Sequence, residues 1–152
     1  MKRILGLLCL LGGVVLAQGR LEIVCAKSYQ EKQCGDDFSC GASKCWIKNT
    51  NLLGALKNDL NYWLEKTSRD PNGGDARCIQ FFKRVLASKS LLQNQKFGPQ
   101  EENFYGLEIK RLDAKTISVH TDLCMGGDAD FAYTYHQKGK DVERIEMSDK
   151  GE

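Results

Sequence analysis

The sequence predicts an α+β fold: two helices packed on a C-terminal antiparallel meander of about four strands, with a disulfide-stapled N-terminal loop region. Three observations carry that prediction. Apolar residues recur at spacings of three and four in Asn51–Thr67 and again in Asp75–Leu92, which is the period of one helix face. From Phe104 to Met147 they alternate with polar residues, the period of a strand with one buried face. Cysteines crowd a Gly- and Asp-rich stretch before the first helix, where no such period exists.

Met1-Lys2-Arg3 is a short basic start, Ile4–Leu16 is almost wholly apolar or Gly, and Val15-Leu16-Ala17 offers a signal-peptidase site. Residues 1–17 are therefore expected to be a cleaved signal peptide and 18–152 a single exported α+β domain, periplasmic or secreted. The apolar run is short of the ~20 residues a spanning helix needs. Cys9 lacks the small neighbours of a lipid-attachment site. No later segment is apolar enough to span, so no integral membrane segment is expected after cleavage.

Leu21–Cys25 reads as a short strand or a helix start. Lys32–Lys44, with Gly35-Asp36-Asp37 and Gly41-Ala42-Ser43, reads as a loop capping one end of the domain. The first helix takes its stripe from Leu52, Leu53, Leu56, Leu60, Trp63 and Leu64, with Asn49 or Thr50 as cap. Trp63 belongs to the core in this reading. Asp70-Pro71-Asn72-Gly73-Gly74 is a helix-to-helix turn. Its acids invite a calcium reading, but Phe81 stands where a bidentate Glu would be needed. The second helix, capped by Asp75, carries Cys78, Ile79, Phe82, Val85 and Leu86, and Gln93–Asn103 is a connecting loop.

The meander then runs through Tyr105–Lys110, Thr116–Cys124, Phe131–His136 and a weaker Val142–Met147. Asp113-Ala114, Gly126-Gly127-Asp128 and Lys138-Gly139-Lys140 turn between them, and Ser148–Glu152 frays. Phe131, Tyr133 and Tyr135 share one face of their strand. The core reading is favoured for them, because an uncovered aromatic face invites aggregation.

Of the seven cysteines, Cys9 leaves with the leader. Cys25, Cys34, Cys40, Cys45, Cys78 and Cys124 remain, an even set that in a small exported chain reads as disulfides. Spacing leaves the connectivity open; Cys78 with Cys124 is the first choice for a helix-to-sheet link. A zinc site competes for Cys25–Cys45, but only Cys40 and Cys45 come loosely near the spacing such sites favour. No metal and no cofactor is expected.

The chain holds 22 Lys+Arg and 20 Asp+Glu. The leader takes two of the bases, Lys2 and Arg3, and no acid, so the remainder is near neutral with both signs interspersed. That excludes the basic face expected of a nucleic-acid binder. There is no Gly-x-Ser-x-Gly elbow, no His-Glu-x-x-His pair and no phosphate-cradling loop between a strand and a helix. His120 and His136 fall at polar-facing positions of two candidate neighbouring strands, and two such histidines could divide acid and base work.

Cys45-Trp46-Ile47-Lys48-Asn49-Thr50-Asn51 faintly resembles the signature of the secreted pancreatic-type ribonucleases. Trp46 replaces the lysine that should follow the Cys, Asn51 replaces the closing aromatic, and no histidine precedes His120. The resemblance fails at the residues that would do the chemistry and is rejected. The order of helices and meander also looks loosely like cystatin-like or nuclear-transport-factor-like layouts, an analogy of fold that licenses no function. Two readings remain. The first is a small exported disulfide-containing binding protein, an inhibitor or immunity-type partner of another protein in the envelope or extracellular space. The alternative is a small secreted hydrolase using His120 and His136.

Overall fold

The first helix, α1 (Leu52–Ser68), buries Leu52, Ala55, Leu56, Asp59, Leu60, Trp63 and Thr67. These positions recur every three or four residues, and the face they form meets a sheet. The computed structural model describes residues 20–26, 40–69, 76–98, 106–122 and 130–149. Around α1 stand β1 (Ile23–Cys25) and β2 (Cys40–Ile47) before it, and α2 (Ala76–Leu86) after it. There follow β3 (Gln95–Phe97), β4 (Gly106–Arg111), β5 (Thr116–Asp122), β6 (Asp130–Lys138) and β7 (Asp141–Asp149).

The strands form one sheet in the order β1-β2-β7-β6-β5-β4-β3, and every neighbouring pair is antiparallel. The chain is thus α+β, and among the described residues the sheet has seven strands in place of the expected meander of about four. Three strands lie outside that meander. Cys40–Lys44, expected as loop, is the first part of β2. Its Gly-, Ser- and Cys-rich composition has little strand propensity; pairing with β7 along its whole length, from Cys40↔Asp149 to Ile47↔Val142, makes it a strand. Gln95–Phe97, expected within a connecting loop, is an edge strand on β4, with too few residues for an alternation to show.

The second helix ends at Leu86, short of the expected Leu92. Leu91 is nevertheless 1% exposed, so the apolar signal outlasts the helix. The cap of α1 is Asn51, not Asn49 or Thr50: its Oδ1 accepts from the Gly54 N–H at 2.9 Å. Asn49 has φ 51 and turns the chain from β2 into the helix. Its N–H donates to Asp141 Oδ1 at 2.9 Å, and Lys48 Nζ holds Asp141 Oδ2 at 2.8 Å. Asp141 follows the two-residue link of the β6–β7 hairpin, where Gly139 (φ 61) takes the left-handed position such a link requires. The start of α1 is therefore anchored to that hairpin.

Alternation assigns the two faces. Ile47, Leu107, Ile109, Ile117, Val119, Tyr133, Tyr135 and Val142 point inward and join the buried residues of both helices in one core. Trp63 lies 5.1 Å from Tyr133 and 6.3 Å from Phe82, centroid to centroid, linking sheet, α1 and α2. Tyr133 and Tyr135 are core residues, and so is Trp63. The signal segment, the Gly35-Asp36-Asp37 stretch, the Asp70–Asp75 turn and its cap, the Gly126-Gly127-Asp128 turn and the last residues of the tail lie outside the described residues; Ser148 and Asp149, expected to fray, are paired in β7. No helix among the described residues is long and apolar enough to cross a membrane.

Candidate functional site

Each face of the sheet carries a polar arrangement. On the inner face one acid interrupts the stripe of α1: Asp59, 2% exposed. Arg144 of β7 meets it, because Val142, Arg144 and Glu146 share the inward parity. Arg144 Nη1 donates to Asp59 Oδ2 at 2.8 Å, and the Tyr135 hydroxyl donates to the same oxygen at 2.8 Å. Asn58 Nδ2 reaches Asp59 Oδ1 at 3.3 Å.

The other end of the guanidinium serves a different neighbour. Arg144 stands opposite Cys45 in register, and its Nη2 lies 3.8 Å from Cys45 Sγ. Its carbon lies 6.0 Å from the Tyr133 ring centre, and its Nε has no partner among the described residues. Burial works against the charge of Arg144, yet the facing Asp59 carboxylate holds its pKa above the usual value. Burial first, and Asp59 second, pushes the Tyr135 phenol well above the ordinary tyrosine range. Tyr133 is raised by burial and then by Glu146. This cluster clamps α1 to β6 and β7. It was missed in the sequence, although the signal was present: Asp59 stands three after Leu56 and four before Trp63, squarely on the apolar stripe.

Among the described residues, neither helix lies on the outer face. Val24, Trp46, Glu143, His136 and Thr116 form one row across β1, β2, β7, β6 and β5. Lys44, Ile145, Thr134 and Ser118 form the next, and Met147, Ala132, His120 and Glu108 the third. Val24 is 45% exposed, while Trp46, Ile145 and Met147 are half-buried. Lys44 lies 5.5 Å over the Trp46 ring and 2.9 Å from Glu143. The result is a short apolar strip bordered by charge.

His136 and His120 are both on this face, and the register does not bring them together. His136 pairs with Thr116, whereas His120 lies four residues further along the same strand, roughly 13 Å away at the rise of a strand. Instead His136 Nδ1 sits 2.8 Å from Thr116 Oγ1. Asp113 is held below the usual carboxylate range first by the Lys115 N–H and then by the Thr116 hydroxyl. The ring's tautomer sets which atom of the His136–Thr116 pair donates. His120 is exposed, opposite Glu108 and Ala132.

Cys25 and Cys45 are opposite one another in β1 and β2 and form a disulfide. Cys78 is also disulfide-bonded. Cys34 and Cys124 lie outside the described residues, and so does the expected Cys78–Cys124 link. Cys40 begins β2. Among the described residues no three His, Cys, Asp or Glu side chains gather as metal ligands. A shallow groove at the other end of the sheet is lined by Gln95, Lys96, Glu108, Lys110 and Arg111. Its charges are spent locally: Glu108 bridges Lys96 and Lys110 at 3.2 and 3.3 Å, and Arg111 donates to the Leu92 and Ala114 carbonyls. No protein-family model matches the chain, and no curated protein or solved structure matches it either.

Proposed function

We propose that this chain is a small exported binding protein, an inhibitor or immunity-type partner, that recognises another protein in the envelope or extracellular space through the face of its sheet that α1 and α2 leave uncovered. The observation that carries the reading is the strip of Val24, Trp46, Ile145 and Met147 on three adjacent strands, covered by neither helix. Trp supplies a large rigid contact and Met an adaptable one, which suits both to the centre of an interface. Lys44, Glu143 and Lys138 supply the polar rim. Export is supported by the leader-like start and by disulfides, which persist in oxidising compartments. The separation of His120 from His136 favours binding over hydrolysis, since shared acid–base work needs both within hydrogen-bond reach of one substrate.

A photoreactive side chain introduced at Ser118, on the outer face, is expected to capture a partner protein. One introduced at Lys57, on the solvent side of α1, is not. Trp46→Ala should weaken the capture at least tenfold while leaving the fold intact. Crosslinks that gather at Lys57 instead, or a hydrolytic turnover abolished by His120→Ala and His136→Ala, would remove this reading.

A further inference from the structure

The disulfide between β1 and β2 is asymmetric. Cys25 lies on an edge strand whose three residues are all exposed, whereas Cys45 is 2% exposed. Among the described residues the cation beside the bridge is at the buried sulfur, Arg144 Nη2 at 3.8 Å from Cys45 Sγ. That guanidinium cannot swing away easily: its other arm is fixed by Asp59, its face lies near Tyr133, and its side chain is 15% exposed. A thiolate is stabilised by a neighbouring Arg, and a better-stabilised thiolate is a better leaving group in exchange. Solvent access therefore selects the sulfur that is attacked, and the fixed charge selects the sulfur that departs. The two choices agree.

We infer that Cys25–Cys45 is a thiol-exchange site for small external thiols, with Cys25 Sγ as the electrophile and Cys45 as the leaving group held beside Arg144. An external thiolate attacks Cys25 Sγ and forms a new S–S bond there. The old S–S bond breaks, and its electron pair leaves on Cys45 as a thiolate facing the guanidinium. A second external thiolate then attacks the sulfur of the first, giving the external disulfide and releasing the Cys25 thiolate, which takes a proton from solvent. Two external thiols are oxidised and the protein disulfide is reduced by two electrons. β1 then keeps its backbone hydrogen bonds to β2, such as Ala26 N–H to Lys44 O and Lys48 N–H to Glu22 O, and the Leu21 and Arg20–Glu65 contacts just before it. Reduction thus removes the covalent link between the strands that carry Val24 and Trp46.

The test is exposure of the purified, oxidised protein to glutathione, with acid trapping, alkylation and peptide mapping. The first adduct is expected on Cys25, with Cys45 alkylated, at least tenfold over the reverse isomer. It should precede opening of the disulfide of Cys78, which is 0% exposed. Equal adducts on both cysteines, an adduct on Cys45, or no opening short of unfolding would overturn the proposal. Access alone could direct the attack, so the charge needs its own arm. Arg144→Gln together with Asp59→Asn removes both charges without stranding either one. The folded double variant should open about threefold more slowly or worse, as a poorer leaving group requires. Opening at the unaltered rate would eliminate the role of Arg144.

Discussion

The two faces of the sheet use the same strands and similar residues to different ends. Inside, one ion pair lies under a helix: the side chains of Arg144 and Asp59 are 15% and 3% exposed. Outside, the Lys96 and Glu108 side chains are 78% and 26% exposed and meet in solvent. The inner pair loses hydration that its mutual attraction must offset, so losing one partner is costly. The outer pair loses little hydration and gains little. Each face also has one of the chain's two tryptophans. Trp63 is wedged between Tyr133 and Phe82, while Trp46 lies under Lys44 at the surface. Burial, rather than residue type, decides which of these residues hold the fold and which border solvent.

The sharpest way to break the comparison is to unpair the inner ions. Arg144→Met alone should destabilise the protein by about 3–5 kcal/mol, because Asp59 is left buried with a charge and only the Tyr135 and Asn58 hydrogen bonds. Adding Asp59→Leu should restore much of that loss. Lys96→Ala on the outer face should leave the urea midpoint unmoved within error. If the single and double inner variants unfold at the same urea concentration, the cluster is not a coupled clamp.

The tryptophans give the next largest contrast. Trp63→Ala should cost about 3–5 kcal/mol, the range for a large aromatic removed from a core. Trp46→Ala should cost about 1 kcal/mol or less, in line with a surface position. Acrylamide quenching of the two single-tryptophan variants reads the same difference without unfolding: only the emission of Trp46 should be readily quenched.

How much of this was legible in the sequence follows from the range of each signal. The stripe of α1 and the alternation in β4, β5 and β6 are local patterns, and they appear where the spacing put them. Asp59 was also in plain view on its stripe, but its meaning depends on Arg144, 85 residues away in the chain. The outward parity of Trp46 could not be read either, because β2 is strand only through its pairing with β7. Cys25 and Cys45 illustrate the same limit. Their spacing does not say that they stand opposite one another, and nothing local places a guanidinium at one sulfur. His120 and His136 show the converse: both are on the polar parity of neighbouring strands as expected, yet a register that only the assembled sheet defines holds them apart.

The smallest effects concern pH, and they divide between the faces. Tyr133 and Tyr135 have phenols raised above the ordinary tyrosine value of about 10, chiefly by burial. A tyrosine is neutral while protonated, so the unfolded chain loses these protons first as pH rises. Their contribution to stability is complete below the unfolded value and is lost as pH climbs from there toward the folded values. The inner face thus sets the alkaline limit, and the phenolate absorbance of these two residues should rise together with loss of fold, not before it. On the outer parity, Asp141 is lowered first by Lys48 and then by the Asn49 N–H, and Glu108 first by Lys96. Their contribution is present above the unfolded carboxylate values and is lost as pH falls through the folded ones. Both pairs face solvent, so added salt should shrink the acid limb of the stability profile and leave the alkaline limb in place. An alkaline limb that shrank equally, or phenolate absorbance that rose while near-ultraviolet circular dichroism stayed native, would mean that the covered face is open to water.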